Sequence, residues 1–159
     1  MPKLHTLSFE ITHDYTLVCI HTTLEDYRLA FFINKCLDIK LKRWEQDLYF
    51  EKKDIGFSLY KYNDKANFTS YNLLANKYLE VKYKTSKHKT LFFNTLISKV
   101  QKYYLIDDKI KVDFFLKISG DLSSLQINRI LTCLNNIKQV ITAYTTNPEK
   151  LKQKEHLIF

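Results

Sequence analysis

The sequence predicts an α+β fold: one mostly antiparallel sheet of about five to seven strands, flanked by an N-terminal and a C-terminal helix. Three observations predict it. Strand-type runs follow one another through the middle of the chain without helices between them, the arrangement of α+β rather than α/β domains. Helical spacing is confined to one segment near each end. The composition is rich in aromatics and poor in breakers, with 11 Tyr and 11 Phe against 2 Gly and 2 Pro, and aromatic side chains favour strands.

The elements follow in order. Tyr15–Thr22 (YTLVCIHT) is dense in β-branched and aromatic residues and reads as a buried strand. Thr22 and Glu25 then stand three apart, as in a capping box, and Asp26 adds negative charge to a first turn. Leu24, Tyr27, Phe31 and Cys36 continue with helical spacing, which predicts a helix over 23–37. From 38 to 76 the period falls to two: Ile39 and Leu41 alternate with Lys40 and Lys42, and further apolar residues follow to Phe57 and Leu59. Residues 63–67 (NDKAN) are a turn by composition, with strands expected over 68–74 and 78–84. Residues 91–105 fit a strand, a helix, or one of each, with strand expected at both ends and an irregular middle. A strand is expected over 112–118. Ile127, Ile130, Leu131, Leu134, Ile137, Ile141 and Tyr144 then trace one helical face, with Ser123 and Gln126 as its cap. Residues 1–147 are read as one globular domain and 148–159 as a charged C-terminal tail.

A chain of 159 residues is the size of one domain with its own core. Two glycines provide neither a G-x-G-x-x-G turn nor a Walker loop, which argues against nucleotide-binding enzymes. The three cysteines, Cys19, Cys36 and Cys133, are odd in number and widely spaced. They read as free thiols in a reducing compartment rather than as a disulfide framework. No signal-peptide pattern and no apolar run of membrane length is present, so a cytoplasmic location is expected.

Two stretches carry a family resemblance. Residues 20–30 (IHTTLEDYRLA), followed by Asn34 and Lys35, resemble the N-terminal block of the IPExxxVDY family of small bacterial proteins. The naming pattern falls on Ile106, Asp107 and Asp108, then Val112, Asp113 and Phe114. Asp107 stands in place of Pro, Asp108 in place of Glu, and Phe114 in place of Tyr. The resemblance covers most of the chain and implies one conserved-type domain. It implies no activity, substrate or cofactor.

The candidate chemistry is sparse. Adjacent helical residues point about 100° apart, so Glu25 and Asp26 do not share a site. They, Thr22 and Arg28 read as a structural motif at a helix start. Asp113 sits in an apolar strand and, if buried, needs a partner such as Arg28, Arg43 or Lys35. Cys19 and His21 share a strand face but lack further ligands, so neither a metal site nor a cofactor is expected.

The remaining signal is charge. The chain carries +8. Between 77 and 102 seven lysines (Lys77, Lys82, Lys84, Lys87, Lys89, Lys99, Lys102) face one carboxylate, Glu80, with aromatics interleaved. The expected function is a non-enzymatic binding or adaptor domain for an acidic partner, RNA or an acidic protein. Its basic sheet surface would be built from Lys40, Lys42, Arg43, Lys82, Lys84, Lys87 and Lys89. The rivals are an enzyme using Glu25, Asp113 or His21 in a cleft, which requires those side chains to converge, and a homodimer held through sheet aromatics.

Overall fold

The computed structural model describes residues 14–50, 53–84 and 97–159. Strand β1 (Tyr15–Thr22) leads into helix α1 (Asp26–Leu37), and β2 (Lys42–Arg43), β3 (Leu48–Phe50), β4 (Lys53–Phe57), β5 (Leu59–Asp64) and β6 (Thr69–Ala75) follow. Then come β7 (Lys77–Lys84), β8 (Ile97–Tyr104), β9 (Phe114–Ser119), helix α2 (Ser124–Asn135) and β10 (Val140–Thr146). Six strands form an antiparallel sheet in the order β10-β1-β9-β6-β5-β2. Two pairs, β3–β4 and β7–β8, stand as separate ribbons. The α+β class and the antiparallel sheet are as the sequence indicates. The strand expected over 78–84 leaves the main sheet, so the lysines do not form one continuous sheet surface.

The alternation of β1 and β9 explains why both faces of the sheet are dry. Val18, Ile20, Leu116 and Ile118 point to the side that receives Leu29 and Ile33 of α1 and Ile130 and Leu134 of α2. Leu17, Cys19 and Phe115 point the other way, onto Ile55, Phe57, Leu105, Leu151 and Leu157. A strand buried on both faces loses its polar alternation and becomes a nearly continuous apolar run, as FFLKIS and LVCI do. Segment 148–159 packs on this second face, with Leu151 and Leu157 buried.

Three local expectations change. Helix α1 starts at Asp26, with Glu25 in the N-cap position and no side-chain cap bond. Thr22 does not cap the helix, because its hydroxyl donates to Gln139 O (2.8 Å) and accepts from Leu24 N (3.1 Å). The long C-terminal helix ends at Asn135. Ile141 and Tyr144 belong instead to β10, whose apolar residues happen to continue the helical period. Ser123 and Gln126 do form the capping box.

The cysteines also differ from the reading as free thiols. Cys36 at the end of α1 and Cys133 near the end of α2 are disulfide-bonded, with Cα atoms 6.0 Å apart across a sequence separation of 97. Wide spacing hid the pair, because helix packing rather than sequence proximity brings them together. Cross-linking so long a loop restricts the unfolded chain. Reduction, or Cys36→Ser, is expected to lower stability by about 2–4 kcal/mol, measured as a drop in melting temperature between oxidised and reduced samples.

Candidate functional site

The basic residues fall into two groups. The first is the β7–β8 ribbon. Its root is anchored by Tyr78 and Tyr103, cross-strand partners that pack on the second core. Beyond them Glu80 lies opposite Gln101, Val81 opposite Val100, and Lys82 opposite Lys99. Glu80 accepts from Tyr103 Oη (3.0 Å) and pairs with Lys82 (3.2 Å). Lys99 and Lys102 are exposed and form no ion pair among the described residues. Leu79, Val81 and Val100 are exposed on the ribbon face that also carries Lys102. Lys84 closes β7 by its backbone, whereas Lys87 and Lys89 lie outside the described residues.

The second group lies at the far end of the main sheet. Lys40 is exposed on the approach to β2. Lys42 pairs in register with Lys61, and Trp44 lies beside it, with Lys61 Nζ 4.3 Å from the indole centre. Arg43 is spent within the fold: it pairs with Asp47, donates to Trp44 O (2.9 Å), and stands over Tyr60. Lys40, Lys42 and Arg43 therefore belong to a different element from Lys82 and Lys84.

The carboxylates gather elsewhere. A cleft of about 380 Å³ is lined by Thr22, Glu25, Asp26, Ser58, Lys77 and Asp113, among others. Two of the three groups in the enzymatic rival, Glu25 and Asp113, do line one cleft, but His21 does not. The partner of Asp113 is Lys77 (2.5 Å), not Arg28, Arg43 or Lys35, and its second oxygen accepts from Thr22 N (2.9 Å). Both oxygens of Asp113 are thus engaged in tying β7 to the end of β1. Arg28 is exposed and forms no ion pair among the described residues.

His21 stacks on Tyr144, ring centres 5.7 Å apart, and Cys19 lies on the same strand face. Burial pushes the Cys19 thiol up to about 11, outweighing the opposing influence of Lys109 and a hydrogen bond with Tyr144. A thiol held there is not the thiolate a nucleophile needs. Among the described residues no three His, Cys, Asp or Glu side chains are placed to share a metal ion, and no helix is long and apolar enough to cross a membrane.

The stretch resembling the family pattern is a structural junction. Asn76, fully buried, donates from Nδ2 to Lys109 O (2.8 Å) and Val112 O (2.9 Å), and its Oδ1 accepts from Ile106 N (2.9 Å). Asp107 accepts from Gln153 Nε2 (2.6 Å) and Asp108 from Lys152 N (3.1 Å), which holds segment 148–159. Sequence reading passed over Asn76, Lys61 and Lys117. For Lys117 a signal existed, a lone lysine inside FFLKIS; for Asn76 there was none.

Comparison with family models, with curated proteins and with solved structures finds no match to this chain.

Proposed function

We propose that this chain is a non-enzymatic binding domain whose β7–β8 ribbon holds RNA, and that it is kin to the IPExxxVDY proteins it resembles. The observation that carries the proposal is the register of Lys82 opposite Lys99 on an exposed ribbon. Like charges directly across a ladder destabilise it; Glu80 offsets this for Lys82 alone, and beyond its root the ribbon has only two strands, a marginal arrangement in water. An anionic strand lying along the lysines turns that repulsion into attraction. Lys102 adds charge on the opposite face, and five of the seven lysines between 77 and 102 lie in the two strands.

The Lys40–Lys42 group is a separate contact point for the same strand. Trp44 and Tyr49, both exposed, offer ring faces on which bases stack irrespective of sequence. An acidic protein would meet the same charge, but through an interface with an apolar centre and a weaker salt response. Fluorescence anisotropy of a labelled single-stranded RNA across a salt series separates the two. Contacts from Lys82 and Lys99 alone predict a slope of log K against log salt near −1.4, at about −0.7 per phosphate for single strands, and the Lys40–Lys42 group steepens it. A flat response, or no binding at low salt, rejects RNA as the partner.

A further inference from the structure

One row of side chains crosses the main sheet on the face covered by segment 148–159. Lys42 is in register with Lys61, Lys61 with Asn72, and Asn72 with Lys117, so all four stand side by side on β2, β5, β6 and β9. Lys117 and Asn72 are buried, 9% and 8% exposed. None of the three lysines forms an ion pair with a carboxylate among the described residues.

The Lys117 ammonium donates to Leu157 O (2.6 Å) and otherwise meets rings. Its Nζ lies 4.7 Å from the Tyr15 ring centre and 4.6 Å from that of Phe159. Lys61 Nζ reaches the same Phe159 ring at 5.3 Å. A buried ammonium is costly unless paired; among the described residues Lys117 has no carboxylate partner, and the Lys61 ammonium shares its Phe159 ring. Burial, and then the Lys61 charge, hold the Lys117 amine below the usual lysine range. A clamp built only to fasten Leu157 would be stronger without Lys61. The face of an aromatic ring carries partial negative charge, so Phe159 serves both lysines as a weak neutral substitute for an anion.

From this arrangement we infer that Lys61, Lys117 and Asn72 form a phosphate-binding subsite whose occupant displaces the Phe159 ring. Two ammoniums supply the charge for a dianion, and the Asn72 amide supplies a neutral donor between them. The subsite lies on the main sheet and does not require the ribbon, so it is tested separately from the ribbon's lysines.

Trp44 is the sole tryptophan and its ring adjoins Lys61, so its fluorescence reports occupancy directly. Titration with inorganic phosphate, and separately with adenosine 5′-monophosphate, should each give a saturable change that chloride at equal ionic strength does not. Equal affinities identify the phosphoryl group alone as the ligand; tighter binding of the nucleotide adds a stacked base. Lys61→Met and Lys117→Met should each weaken binding at least tenfold, while Phe159→Ala should tighten it. Lys61 is only half-buried, so its variant carries the test if Lys117→Met does not fold. Replacing Lys82 and Lys99 by Glu should leave the titration unchanged. Absence of saturation with either anion, unaltered binding in Lys61→Met, or weaker binding in Phe159→Ala overturns the assignment.

Discussion

Asn76→Leu is expected to remove about 4 kcal/mol of stability, from three broken hydrogen bonds at about 1–2 kcal/mol each. The side chain is fully buried and serves three backbone groups of the segment between β8 and β9. Leucine matches its size but bonds none of them, so Ile106 N–H and the carbonyls of Lys109 and Val112 lose their partner together. The main chain of Asn76 also donates to Asp113 O (2.9 Å) and accepts from Leu105 N (2.9 Å), so the side chain stiffens a junction that five bonds define. For a domain of this size the loss is about 8–16 °C in melting temperature. A melt within about 2 °C of the parent would show that the segment holds its shape without the amide.

Replacing Lys82 and Lys99 by Glu is expected to weaken the proposed RNA binding at least 100-fold at moderate salt. Two charge-assisted contacts at about 1.5 kcal/mol each amount to about 3 kcal/mol, and 1.4 kcal/mol is a factor of ten. The paired exchange keeps like charges opposite each other, so the ribbon's own electrostatics change less than its attraction for phosphate. A single Lys40→Glu change, far from the ribbon in the sequence, is expected to cost several-fold at most. Anisotropy titrations of both variants, with melts as the fold control, decide the matter. Undiminished binding in the double variant removes the ribbon from the site.

How far the sequence could be read depended on how local the cause was. Strand β1 has the bounds its composition indicates because every residue but His21 is aromatic, apolar or β-branched for a nearby reason. The Ser123 capping box is likewise visible within four residues. The expected helix overran to Tyr144 because Ile137, Ile141 and Tyr144 keep four- and three-residue steps although the last two lie in β10, where Val140 and Ala143 face the core across a bulge opposite Thr22. The split of the lysines between ribbon and sheet depends on strand pairing, which no single segment encodes. Nor could spacing reveal that Asp113 meets Lys77 from 36 residues away, or that Lys117 lies under the end of the chain.

Two asparagines matter beyond the junctions they sit in. Asn135, the last residue of α2, donates to Ala143 O (3.0 Å) and accepts from Ala143 N (2.8 Å) on β10. Asn34 of α1 treats Leu41 the same way, at 3.0 and 2.7 Å, just before β2. Those strands are the two edges of the six-stranded sheet. Unpaired N–H and C=O groups along a sheet edge are a template for another chain, and a side-chain amide offers the same donor and acceptor that a neighbouring strand would. Each helix thus lends its sheet a one-residue imitation strand. One residue on each margin of the six-stranded sheet is thereby already paired, which disfavours strand addition at those points.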